Sequence, residues 1–127
     1  MTTVRLLGIV IIFYGLSYIQ FGIKQMYEAV NYAGQRQVNW YIIITNLNIG
    51  LMVFVIGIGV LLAKEWARIL WLMSSIALAS LHIAFLALFY ANGQTQAQQL
   101  LNTGLILILL VISWTTLNRE KVKQLFS

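Results

Sequence analysis

The chain has 127 residues, of which 61% are hydrophobic and only 9% charged, with a net charge of +5. Soluble domains average about 25% charged residues, so a chain with so few cannot clothe itself against water and calls for lipid as its main solvent. Cysteine is absent, which excludes a disulfide framework, a thiol relay and a thiolate metal site.

The basic residues stand at the ends of apolar runs, with no patch that interleaves them with aromatics. That pattern sets membrane topology and speaks against a nucleic-acid partner. A spanning helix takes about 20 mostly apolar residues, and four stretches qualify. They are too long and too continuous for barrel strands.

The first span is predicted over Val4 to Ile23. Arg5 ahead of an apolar stretch, with small residues near Ala29 and Ala33, gives it some look of a signal peptide. Its length and the retained Met1 predict an uncleaved span instead. Gly8, Gly15 and Gly22 recur every seven residues, which returns to nearly one side of a helix and forms a groove. Lys24 and Glu28, four apart, predict that this helix continues to a stop near Ala33-Gly34.

The second span is predicted over Trp40 to Ala63, with Gly50 and Gly57 again seven apart. KEWAR, residues 64 to 68, reads as a tight hairpin in which Glu65 pairs with Arg68 across one turn. The third span covers Ile69 to Ala91. Ala77, Ser80, Ala84, Ala87 and Ala91 alternate three and four apart, a seam of small knobs that invites a facing helix. Asn92-Gly93 is a natural stop. Residues 94–103, QTQAQQLLNT, carry no charge and read as an outer loop before the fourth span, Leu100 to Leu117. The tail, 118–127, ends in REKVKQLFS, with Val122, Leu125 and Phe126 on one side. That predicts a short interfacial helix on an anionic leaflet.

The fold class is therefore all-α: a single integral membrane domain of four transmembrane helices. Even span number puts both termini on one side. That side holds Arg5, Lys64, Arg68, Arg119, Lys121 and Lys123, and the other Lys24 and Arg36, so both termini are expected in the cytoplasm. Trp40 would mark the outer interface, and Trp66 and Trp114 the inner one. Lys64, Trp66, Arg68, Arg119, Lys121 and Lys123 are the candidate anchors to lipid or a partner.

His82 is the sole histidine and lies within the third span. Counted from the inner end at 1.5 Å per residue, it sits about 20 Å up. Gln20 and Asn48 come to about 22 Å and Asn46 to about 25 Å, with Tyr18 near the same level. These five are the candidate ligand-binding set. Imidazole facing lipid is costly, and an interhelical hydrogen bond to Asn46, Asn48 or Gln20 is its plainest role. A pocket open to the outer side is the sharper one. His82 also lies about 170° around the helix from the alanine seam. Both sides of the third helix therefore ask for protein, which implies a second protomer or another membrane subunit. No catalytic motif, metal-ligand set or cofactor motif is present. The three acids, Glu28, Glu65 and Glu120, all lie outside the spans.

The segment GIGVLLAKEWARILWL, residues 57 to 72, with its Trp66-Ala67-Arg68 opening, resembles the second-to-third helix hairpin of small uncharacterised four-helix bacterial membrane proteins. The ending LNREKVKQLF resembles their basic tails. The resemblance implies a bacterial inner-membrane location and carries no activity. Cationic-drug exporters of this length rely on a glutamate in the first span, which this chain lacks. A non-enzymatic accessory, assembly or regulatory subunit is the expected function. A homo-oligomeric channel or carrier for a small solute, with Gln20, Asn46, Asn48 and His82 lining its outer site, is the alternative.

Overall fold

A computed structural model describes residues 1–32, 40–93 and 97–127. All regular structure among them is helical: α1 (Thr2–Tyr32), α2 (Trp40–Leu61), α3 (Glu65–Ala91), α4 (Ala97–Leu117) and the short α5 (Glu120–Lys123). The first four are long and apolar enough to cross a membrane. At 1.5 Å per residue, the 31 residues of α1 extend about 46 Å, well past a hydrocarbon core of about 30 Å. The expected stop at Ala33-Gly34, and Arg36 with it, lie outside the described residues.

The chain divides into two compact units, Met1–Ala67 and Arg68–Ser127. In the first, α1 and α2 form an antiparallel hairpin held by glycine. A Cβ on Gly8 would stand 2.6 Å from the backbone nitrogen of Leu61, and one on Gly15 at 2.6 Å from that of Phe54. One on Gly22 would stand 2.8 Å from a methyl of Leu47. From the other helix, Gly50 meets the backbone of Ile19 at 2.8 Å and Gly57 that of Ile12 at 2.8 Å. The two seven-residue stripes thus interlock, and no side chain larger than hydrogen fits where backbone meets backbone. Val4, Ile11, Val53, Ile56 and Val60 are buried.

The turn after α2 is a Schellman cap. Lys64 N donates to the Gly59 carbonyl at 2.9 Å, and Ala63 N to that of Val60 at 2.9 Å. Ala63 takes φ 53°, a left-handed conformation usually left to glycine. Only Leu62 to Lys64 interrupt the helices, so the hairpin predicted over residues 64 to 68 is tighter than its sequence suggested. Glu65 to Arg68 already belong to α3, where the Glu65 carboxylate complements the helix N-terminus. Gly59 makes room for this return, since a Cβ there would collide with Ala67 and the Trp66 ring.

In the second unit, α3 and α4 run antiparallel. Buried Trp71 donates its indole N–H to Ser113 Oγ at 2.9 Å, and Ser113 in turn donates to the Leu110 carbonyl at 2.8 Å. Arg68 Nη1 donates to the Leu117 carbonyl at 3.3 Å, satisfying one of the last carbonyls of α4. Leu78, Leu110 and Leu117 are buried alongside. Helix α3 ends at Ala91, and Gly93 adopts φ 68° just beyond. Helix α4 starts at Ala97, three residues before the predicted span. The glutamines there are good helix formers that hydropathy alone passes over. After Leu117 the backbone extends at Arg119 (φ −66°, ψ 135°) and then forms α5.

Candidate functional site

Four of the five candidate ligand-binding residues belong to the hairpin unit, and its register decides what they meet. Asn46 precedes Gly50 by four residues, and Gln25 follows Gly22 by three. At 100° per residue, both come within about 60° of their glycine stripe. Asn46 Nδ2 accordingly donates to Gln25 Oε1 at 2.9 Å. Gln20 precedes Gly22 by two and Asn48 precedes Gly50 by two, which turns each about 200° away. Both are exposed. The partner that the hairpin gives Asn46 is therefore Gln25, which depth along the helix did not single out but angle around it would have. Tyr18 is half-buried, with its ring edge-on to Tyr14 at 5.3 Å and the two hydroxyl oxygens 3.3 Å apart.

His82 belongs to the second unit, half-buried on the side of α3 that also carries Trp71, Ser75 and Leu78. The register follows from Trp71 on Ser113 and Arg68 on Leu117. Eleven residues on from Trp71 is His82, and ten or eleven back from Ser113 are Thr103 and Asn102. Of these, Thr103 is half-buried and Asn102 exposed, and half-buried Gln99 follows one turn further. By this register, His82 on α3 and half-buried Thr103 and Gln99 on α4 fall at similar heights in the second unit.

The alanine seam of α3 is disposed differently from the glycine stripes. Ala77, Ser80, Ala84, Ala87 and Ala91 are all exposed, whereas Trp71, Ser75 and Leu78 on the other side of the helix are buried. Among the described residues, no cluster of three or more His, Cys, Asp or Glu offers a metal site.

The comparisons point nowhere. The chain matches no protein-family model, no curated protein and no solved structure. What the arrangement offers is a hydrogen-bonded amide pair, a half-buried imidazole, and a long open seam of small side chains.

Of the candidate anchors, Lys64, Trp66, Arg119 and Lys121 are exposed. Lys123 is held by Glu120 at 3.0 Å, and Arg68 is tied to the end of α4. Trp40 and Trp114 are exposed as well.

Proposed function

We propose that the protein is a non-enzymatic integral subunit of a larger membrane complex, an accessory, assembly or regulatory component that works through helix–helix contacts. The observation that carries this reading is the exposed seam on α3, Ala77 to Ala91. In lipid, helices gain little from apolarity alone, and small side chains are useful where another backbone comes close. The other stripes of this chain illustrate the point, since Gly15 and Gly50 bring two backbones to van der Waals contact. An unfilled seam of the same kind fits a helix from another polypeptide. Its flanking neighbours Ile76 and Ile83 are large, exposed and suit lipid.

In this reading the four helices span the bilayer with both termini in the cytoplasm, as the lysine and arginine balance favours. The hairpin and tail resemblance supports the inner membrane of a bacterium. Purification in mild detergent through a terminal tag tests the reading. A larger membrane protein should be recovered in stoichiometric amount. The Ala84→Leu and Ala87→Leu variants should lose it while unfolding at the parent's denaturant concentration. Solute flux through the purified chain alone in liposomes, abolished by His82→Ala, would overturn it in favour of a channel or carrier.

A further inference from the structure

The tail is the part of the molecule that helix docking leaves unused, and the structure divides its charges unevenly. Glu120 is neutralised within the tail by Lys123 at 3.0 Å. Arg119 and Lys121 are exposed, and among the described residues no hydrogen bond or ion pair holds their side chains. The segment therefore presents two uncompensated positive charges. Its apolar side chains lie beside them: Val122 and Phe126 are half-buried and Leu125 is exposed. The backbone turns at extended Arg119, so α5 does not continue the line of α4. Trp114, three residues before Leu117, is exposed at the same end of α4, a position suited to a headgroup boundary.

We infer that the segment from Arg119 to Phe126 is a binding element for anionic lipid, with Arg119 and Lys121 engaging headgroup phosphates and Leu125 and Phe126 entering the acyl boundary. Charge complementarity selects the occupant. A zwitterionic surface offers no net attraction to the pair, whereas an anionic leaflet attracts each basic side chain near it. An acidic protein groove would match the charge, but not the outward leucine next to a helix end that itself suits a bilayer. The inference rests on the membrane-embedded reading above.

The test is amide hydrogen exchange of residues 119–126 in the full chain. It is measured in nanodiscs of phosphatidylcholine alone and of phosphatidylcholine with about 30 mol% phosphatidylglycerol. Two unpaired basic residues predict exchange slower on the order of 10- to 30-fold in the anionic discs. That difference should disappear in Arg119→Gln/Lys121→Gln and shrink at about 0.5 M salt. Equal exchange in both discs, with the chain incorporated, overturns the inference. A chain that enters neither disc overturns the membrane reading beneath it, so the two failures are distinguishable.

Discussion

Replacing Gly15 by alanine tests the hairpin where backbone meets backbone. The added Cβ would lie 2.6 Å from Phe54 N and 2.8 Å from the Gly50 carbonyl oxygen. Ordinary contact begins at 3.4 Å, so the helices must part locally by about 0.8 Å. Both obstacles are backbone and cannot rotate away, which puts the cost in the upper part of the about 1–3 kcal/mol typical of overpacking. Alanine regains up to about 1 kcal/mol of helix propensity. The net expectation is a loss of about 1–2 kcal/mol. Gly104 is the control, because nothing lies within 4 Å of a Cβ built there. Gly104→Ala keeps only the propensity gain and should stabilise by about 0–1 kcal/mol, the lower figure applying if the denatured state remains helical. Denaturing-detergent titration in mixed micelles, followed by tryptophan fluorescence, measures both. If Gly15→Ala proves as stable as the parent, or the two variants shift together, the backbone contact between α1 and α2 is not what holds the hairpin.

The same titration checks three further expectations. A double-mutant cycle with Trp71→Phe and Ser113→Ala should give a coupling of about 0.6–1.7 kcal/mol, as for hydrogen bonds between membrane helices; additive losses would mean the bond contributes nothing. Asn46→Leu and Gln25→Leu should be coupled in the same range, while Gln20→Leu and Asn48→Leu, both exposed, should each move stability by less than about 0.5 kcal/mol. Ala63→Gly relieves a left-handed alanine worth about 1 kcal/mol but gives up a buried methyl worth about 0.8 kcal/mol, so it should be nearly neutral. Ala63→Val, β-branched at φ 53°, should instead be strongly destabilising, and a neutral valine there would contradict the Schellman geometry.

What could be read in the sequence was whatever repeats along a helix. Gly8, Gly15 and Gly22 announce a groove because seven residues return to one side, and the groove is where α2 lies. The helical stretches themselves followed from apolar length, and the end of α3 from Asn92-Gly93. Contacts between helices were less legible. Depth grouped Asn46 with Gln20, Asn48 and His82, but Gln20 is turned away from α2 and Gln25 is not, a distinction that needs the angle around α1 as well as the height along it. The bond from Arg68 to the Leu117 carbonyl joins residues 49 apart in sequence and leaves no local pattern. The turn at Ala63 broke the usual rule, since glycine is the expected residue at that φ and the nearest one, Gly59, serves to admit Trp66 and Ala67 instead.

The most direct test of the central claim is the mass of the native assembly, taken by mass spectrometry from nanodiscs cut from the cell's own membrane. The subunit reading predicts a particle that holds this 14.4 kDa chain together with a different, larger membrane protein. A particle containing only copies of this chain would favour a channel or carrier, and a bare monomer would contradict the claim that the open seam of α3 receives a helix.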